Sequence, residues 1–311
     1  MSAAYYIEDM KEGIHAVPAD PADGVTIDRL LRQITETLAA GGIDDPGTNA
    51  ELMIASVLNE ERGKVIAGKD RNIDGRRLDI LRAHVDRRLR REPLQYILGE
   101  TGFMGLRFFV GPDVLIPRPE TEVLVERALA IIGTSGGGLT HVLDIGTGSG
   151  NIAISLAKLA PGTTVTALDV SDAALGIARG NIRLHDAATV IPVQGDIHTY
   201  PFTAHSFDMI VANPPYISLS EFGTLQEEIR LYEPRLAATD EGDGFRIIRH
   251  ILERAKDLLH KASPLLMEIG FEQAPTVSDL AHTGGWERVR FHSDLAGIPR
   301  VFEGWTPGGP A

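Results

Sequence analysis

The chain has 311 residues, no cysteine, 43% hydrophobic residues and a formal net charge of −13. That length and apolar content support a sizeable core and exclude global disorder, and the lack of cysteine excludes disulfides, iron–sulfur clusters and thiolate zinc sites. The acidic balance argues against a dedicated nucleic-acid binder, which needs a basic surface to neutralise phosphates, and no apolar run reaches the ~18 residues of a membrane span.

The opening MSAAYYIEDMKEGIH carries Glu8, Asp9 and Glu12 and has no apolar centre, unlike a signal or transit peptide. A cytoplasmic location is the expectation. Residues 1–24 read as a polar tail. Ile27, Leu30, Leu31, Ile34 and Leu38 then fall on one face of a helix that Gly41-Gly42 would stop. Ala50, Met53, Ile54, Val57 and Leu58 repeat the spacing, and Leu78, Leu81, Val85 and Leu89 predict a third helix ending before Pro93. Residues 25–95 are therefore expected to form a small helical bundle. The arginines of residues 76–91, RRLDILRAHVDRRLRR, suit a solvated helix face or a patch for an acidic partner or RNA.

Residues 96–117 change character, with glycines between short aromatic and aliphatic pieces, as in a β-hairpin connector. Helical spacing returns after Pro119, and Ser135-Gly136-Gly137-Gly138 is a break. From there strands and helices alternate. Strands are predicted at 141–146, 164–170, 188–196, 207–215 and 264–270, followed by WERVRFHSDL and PRVFEGW. Helices are predicted at 151–160, after Ser171, around 244–260 and near 272–283. This alternation implies an α/β domain over residues 118–311, with an open, mainly parallel sheet and helices on both faces. Ligands of such sheets sit at the carboxyl ends of the strands. That places residues 144–150, 169, 196 and 213–216 along one edge.

Asp144-Ile145-Gly146-Thr147-Gly148-Ser149-Gly150 joins the first of these strands to its helix. Its glycines permit a tight turn and let backbone N–H groups approach a ligand, although a purely structural turn would read the same way. The loop lacks the Gly-Lys-Ser/Thr of a Walker A and the G-x-G-x-x-G of a dinucleotide fingerprint. Asp169 ends the second strand, where a carboxylate can accept both ribose hydroxyls or cap the next helix. Asp196, followed by Ile197, ends the third, placed for an adenine edge or for an ordinary turn. Together these positions suit an adenosine with a short polar tail, and S-adenosylmethionine fits. The histidines show no metal-ligand spacing, so no metal is expected.

The segments D-I-G-T-G-S-G, A-L-D-V, Q-G-D and N-P-P-Y resemble a class I S-adenosylmethionine-dependent methyltransferase. More narrowly, the chain is similar to the release-factor glutamine methyltransferases, the HemK/PrmC family. The segments that carry this are REPLQYILGE (91–100), GFMGLRF (102–108), VLIPRPETE (114–122), YEPRLA (232–237) and DLAGIPRV (294–301). The resemblance runs from about residue 25 to about 303. It implies a Rossmann-like, seven-stranded sheet behind a helical domain and a hairpin that recognise the substrate. The implied substrate is the glutamine of the Gly-Gly-Gln loop in class I peptide-chain release factors.

In the family's reading, Asn213, Pro214, Pro215 and Tyr216 hold a planar nitrogen. Asn213 Oδ1 and the Pro214 carbonyl would accept its two N–H groups, Pro215 would stiffen that carbonyl, and Tyr216 would pack on the planar group. Asn213, Pro214 and Tyr216 are thus the expected catalytic residues. Asp144, Gly146, Thr147, Gly148, Ser149, Gly150, Asp169, Asp196, Ile197 and Asn213 are expected to bind the cofactor. Pro117–Glu122 is expected near the cofactor or peptide, or as a rigid connector, and Phe103 and Phe108 in the pocket wall or the core. The sequence departs from the family at His260-Lys261-Ala262-Ser263-Pro264, where a Lys-Pro-Gly-Gly turn is usual. The rivals are a ribosomal-protein glutamine methyltransferase with the same chemistry, a nucleic-acid base-amine methyltransferase, and a cofactor-binding module without catalysis.

Overall fold

The computed structural model describes residues 25–136 and 140–308. The expected polar tail and the Gly137-Gly138 part of the expected break lie outside these. The chain divides into two compact units, with the boundary in sequence between Leu98 and Gly99.

The first unit is helical. It contains β1 (Val25–Thr26), α1 (Ile27–Ala40), α2 (Pro46–Leu58), α3 (Arg62–Ala67), β2 (Asn72–Ile73), α4 (Gly75–Leu89) and α5 (Leu94–Leu98). The Thr26 hydroxyl accepts the Arg29 N–H at the start of α1, which buries the predicted face from Ile27 to Leu38 and ends at Gly41. Asp74 caps α4 through the Arg77 N–H, and Leu78, Leu81 and Val85 are buried beneath it. Strands β1 and β2 pair over two residues each, too short for any periodic signal. The arginine-rich stretch is largely neutralised in place. Arg77 pairs with Asp74, Arg82 with Asp79 and Arg87 with Glu92, while Arg88 is buried against Asn49 Oδ1.

The second unit opens with a hairpin of β3 (Glu100–Phe103) and β4 (Leu106–Phe109). It is shorter than the 96–117 segment assigned from sequence, because Leu94–Leu98 is helical. Met104 and Gly105 form its two-residue turn, both at positive φ (51° and 72°), the backbone that a tight hairpin of this twist requires. After the hairpin come α6 (Pro119–Thr134), β5 (His141–Ile145), α7 (Asn151–Leu159), β6 (Thr164–Asp169), α8 (Asp172–Leu184) and β7 (Val190–Gln194). Next are β8 (Met209–Ala212), the short helices α9 (Leu219–Phe222), α10 (Glu227–Tyr232) and α11 (Arg235–Ala238), then α12 (Arg246–Leu258), β9 (Pro264–Glu268), α13 (Ala274–Thr283), β10 (Glu287–Ser293) and β11 (Pro299–Trp305).

The sheet has seven strands in the order β10-β11-β9-β8-β5-β6-β7. Strands β5 to β9 pair in parallel, and β11 runs antiparallel to both β9 and β10. Successive side chains point to opposite faces, so each strand feeds two cores. Leu143, Ile210, Leu265 and Met267 pack with Ile251, Leu252 and Leu258 of α12. Val142, Val165, Val211 and Leu266 pack with Leu124 and Val125 of α6 and with Phe103 and Phe108 of the hairpin. These two phenylalanines are 2% and 0% exposed, so they are core residues and not pocket wall.

Strand β8 is fully buried and stops at Ala212, short of the 207–215 assigned from sequence. Ala212 is paired with Ile145 on one side and Met267 on the other. Beyond it Pro214 and Pro215 have no N–H to continue a central strand. The chain order reverses between β5 and β8: β6 and β7 lie to one side of β5, and β8 and β9 to the other. This is the switch point at which ligands of parallel sheets bind. In the His260–Pro264 turn Ala262 takes φ 56°, a left-handed conformation usual for glycine.

Candidate functional site

A cavity of about 340 Å³ opens at the carboxyl ends of β5, β6 and β8. Ile145, Gly146, Thr147, Gly148, Ser149, Asp169, Asp196, Ile197, Asn213, Pro214 and Pro215 all line it. Asp144, Gly150 and Tyr216, expected from sequence in the same site, lie outside its lining.

The glycine loop works differently from the sequence expectation. The N–H groups of Gly146 and Thr147 donate to the Leu168 carbonyl, that of Gly150 to the Thr147 carbonyl, and that of Gly148 to Asp169 Oδ2 at 2.8 Å. These amides fold the loop and do not face a ligand. The glycines instead supply backbone shape, with φ of 73°, 54° and 80° at Gly146, Gly148 and Gly150. A Cβ at Gly146 would meet nothing closer than the Asn213 carbonyl at 3.9 Å, so the loop runs beside the start of N-P-P-Y. A Cβ at Gly150 would sit 3.1 Å from Ile154 Cδ1 and 3.4 Å from Ala178 Cβ, so that glycine serves the packing of α7 on α8.

Asp169 ties the loop to the cavity floor. Its Oδ2 takes the Gly148 N–H and its Oδ1 takes the Ser171 N–H at 2.9 Å, which leaves one further acceptor position on each oxygen. Asp196 is exposed, and its Oδ1 accepts the His198 N–H at 2.9 Å. Ile197 beside it is 6% exposed and gives the cavity an apolar wall, joined by Leu168, Ile247 and Ile251. Asp144 is fully buried; its Oδ2 accepts the Thr147 hydroxyl at 2.6 Å, and its Oδ1 has no hydrogen-bond partner. Burial, reinforced by the neighbouring Asp169 charge, pushes the Asp144 carboxyl up to about 7. A cation held at the loop would draw it back to the ionised form.

The opposite wall joins segments that are far apart in sequence. Arg118 and the Ile116 N–H both bind Glu233, whose side chain is 2% exposed. That pair ties the I-P-R-P segment to Y-E-P-R, and Pro117, Arg118, Thr121 and Pro234 line the cavity together. Thr121 falls within Pro117–Glu122, expected from sequence near the cofactor or peptide or as a rigid connector, whereas Glu268 was not singled out. The Asn213 Nδ2 donates to Thr121 Oγ1 at 3.1 Å, and the Thr121 hydroxyl donates to Glu268 Oε2 at 2.6 Å. Glu268 Oε1 accepts the Tyr216 hydroxyl at 3.1 Å. Tyr216 is also fixed through its carbonyl, which accepts from Gln273 Nε2 at 2.9 Å, and burial pushes its phenol well above the ordinary value. A lone Glu carries no motif; only its place beside Thr121 and Tyr216 in space marks it. Among the described residues no donor reaches Asn213 Oδ1 or the Pro214 carbonyl.

A reversing parallel sheet, a glycine loop at its switch point and a carboxylate after the second strand of the sheet define a class I methyltransferase. The cavity residues fit the adenosine part of S-adenosylmethionine: apolar walls for an adenine and Asp169 acceptors for a ribose. Family profiles described as "PrmC N-terminal domain" and "Methyltransferase domain" match residues 29–99 and 142–234. A release factor glutamine methyltransferase from Chlorobaculum tepidum is 41% identical over 258 residues, covering 81% of this chain and 87% of its own. One from Geobacter sulfurreducens is 37% identical over 279 residues, covering 90% of this chain and 96% of its own. The chain belongs to the release factor glutamine methyltransferase family.

Among solved structures, the hMettl16 catalytic domain in complex with an RNA hairpin matches with a TM-score of 0.53 and 17% identity, over 73% of this chain and 82% of that one. At that identity the likeness bears on the fold alone. Among the described residues no helix is long and apolar enough to cross a membrane, and no group of three or more His, Asp or Glu side chains could hold a metal ion.

Proposed function

We propose that this protein methylates the side-chain amide nitrogen (N5) of a glutamine, using S-adenosylmethionine, and that the glutamine is that of the Gly-Gly-Gln loop in class I peptide-chain release factors. The observation that carries this reading is the state of Asn213. Its Nδ2 is committed to Thr121, which leaves Oδ1 and the adjacent Pro214 carbonyl as acceptors beside the cofactor cavity. An amide nitrogen is a poor nucleophile, because its lone pair is delocalised into the carbonyl. Two fixed acceptors hold its two N–H groups and so orient the nitrogen. Pro215 restricts Pro214 to extended geometry and keeps that second acceptor in place.

When bound, S-adenosylmethionine supplies an electrophilic methyl group, which leaves sulfur for the amide nitrogen in one displacement. The nitrogen then gives up one of its hydrogens as a proton. An N-methylated amide is strongly acidic until that proton leaves, so water suffices and no side chain is assigned as base. In this reading Asp169 accepts the ribose hydroxyls, Gly146–Ser149 border the methionine part, and Asp144 braces the loop from outside the cavity through the Thr147 hydroxyl. Asp196 and Ile197 meet the adenine, and Asn213, Pro214 and Pro215 hold the substrate amide. Gly150 and Tyr216 support the site from outside the cavity. A translation factor as substrate sets the working compartment as the cytoplasm.

The test is to incubate the protein and labelled S-adenosylmethionine separately with a release factor, ribosomal proteins and DNA, and to locate the label by mass spectrometry. Label on the release-factor glutamine is expected, and label on ribosomal protein or DNA alone overturns the reading. Asn213→Ala should abolish transfer while cofactor affinity is largely retained.

A further inference from the structure

We infer that Thr121 and Glu268 are positioning residues that lock the Asn213 amide in one of its two orientations, so that Oδ1 and not Nδ2 faces the amide to be methylated. The inference rests on the reading that Asn213 Oδ1 accepts a substrate N–H.

The argument is one of donors and acceptors. Thr121 lies in the first turn of α6 and is 1% exposed. Its hydroxyl has a single hydrogen, and at 2.6 Å that hydrogen is spent on Glu268 Oε2. Only a lone pair is then left toward Asn213, 3.1 Å away, and only an N–H can satisfy it. The amide nitrogen must therefore point at Thr121, and Oδ1 must point away from it. Glu268 ends β9, the strand next to β8, and its second oxygen holds the Tyr216 hydroxyl. One buried carboxylate thus anchors both ends of N-P-P-Y.

The lock depends on Glu268 being an acceptor. If position 268 donates, Thr121 Oγ1 becomes an acceptor there and its own hydrogen turns to Asn213. The amide then rotates by half a turn and sets Nδ2 against the substrate N–H, donor facing donor. Glu268 is 2% exposed. It faces Thr121 and Glu120 from α6, Tyr216 from the loop after β8, and Arg300 from β11. Burial pushes its carboxyl up to about 7, against the hydrogen bonds of Thr121 and Tyr216 and the charge of Arg300, with Glu120 adding to the rise. The ionised, amide-locking form therefore predominates on the alkaline side of neutrality.

The test uses the full chain and three variants, Thr121→Val, Thr121→Ser and Glu268→Gln. Two readouts are taken: methyl transfer to a release factor, and the side-chain amide signals of Asn213 in protein labelled with ¹⁵N-asparagine, assigned by their loss in Asn213→Asp. Val matches Thr in shape but has no hydroxyl. Thr121→Val should lower kcat by about 10²-fold, the scale of a small misplacement in a reactive geometry, while the Kd for S-adenosylmethionine stays within about threefold. Its Asn213 amide signals should shift and exchange faster with solvent. Thr121→Ser restores the hydroxyl and should recover most of kcat and the original signals. Glu268→Gln removes the titrating carboxyl and should lose the dependence of kcat on pH near neutrality. Unshifted Asn213 signals in Thr121→Val, or a kcat within threefold of the starting protein, overturn the inference. If the unsubstituted protein leaves release factors unmethylated, the substrate reading fails, and the Asn213 signals still decide the lock.

Discussion

In the proposed reading Asp169 joins loop shape to cofactor affinity, and its replacement gives a quantitative expectation. Each of its oxygens already accepts one backbone N–H, from Gly148 at 2.8 Å and Ser171 at 2.9 Å. Each retains a second acceptor position that a ribose hydroxyl can take. Hydrogen bonds to a charged group contribute about 1.5–3 kcal/mol apiece, and two on one carboxylate are not fully additive. Asp169→Ala should therefore cost about 3 kcal/mol of cofactor binding, a Kd weaker by about 10²-fold at 1.4 kcal/mol per decade. The two N–H groups it frees lie at a partly exposed loop, where water can replace the lost acceptor, so the fold should survive. Asp169→Asn keeps one carbonyl oxygen but turns an NH₂ toward the other N–H donor, and should fall between, at about tenfold. Isothermal titration with S-adenosylmethionine and with S-adenosylhomocysteine measures both variants, with a thermal melt confirming the fold. A Kd within threefold in Asp169→Ala, with an unchanged melt, would refute the assignment of Asp169 to the ribose.

Other outcomes test the supports of the site. Ala262 sits at φ 56° in the turn before β9, where a Cβ is disfavoured by about 1 kcal/mol, so Ala262→Gly should raise the melting temperature in calorimetry. Gly150→Ala should lower it, because φ is 80° and the new Cβ would press on Ile154 at 3.1 Å; the cost is about 2 kcal/mol, read by urea denaturation. Glu303 is held at about 2, below the usual 4.5: burial alone would raise it, but hydrogen bonds from Arg127, Trp305 and His292 prevail. Its folded value is depressed, so its stabilisation is present above pH 4.5 and is lost as the pH falls through about 2. Glu303→Gln should therefore lower stability at pH 7 and leave it nearly unchanged at pH 2, as measured by melts across that range.

The sequence was most informative where one side chain or one period decides the structure. The i, i+3, i+4 face of Ile27–Leu38 became α1 residue for residue, because a helix must hide one apolar stripe. Ser171 became the cap of α8 because its hydroxyl answers the Ala174 N–H. The alternation of strand and helix implied the mainly parallel sheet, and with it the edge on which Gly146, Asp169, Asp196 and Asn213 meet, but not the order of the strands. Boundaries were less legible. The expected strand at 207–215 ended at Ala212, because ladder pairing and not apolar content determines where a strand stops. Residues 219–238 form short helices α9 to α11, whose lengths of four to six residues give periodicity too little to act on.

What could not be read was the layer behind the site, and the reason is physical. Asn213 is recognisable because it stands in N-P-P-Y, where the prolines mark a stop in a central strand. Thr121 stands in a segment that marked the family but gave this hydroxyl no role, 92 residues before Asn213, and Glu268 stands in an ordinary apolar strand 55 residues after it. They reach Asn213 only because β9 lies beside β8 and the first turn of α6 lies across the strand ends. A hydroxyl with one hydrogen and a carboxylate with none then leave the amide a single way to turn. The glycine loop makes the same point from the other side. Its pattern was legible, but its chemistry was not, since whether an amide faces a ligand or another part of the chain is settled by tertiary pairing. The motif names the atoms near the reaction. The orientation of those atoms is set by neighbours that only the fold supplies.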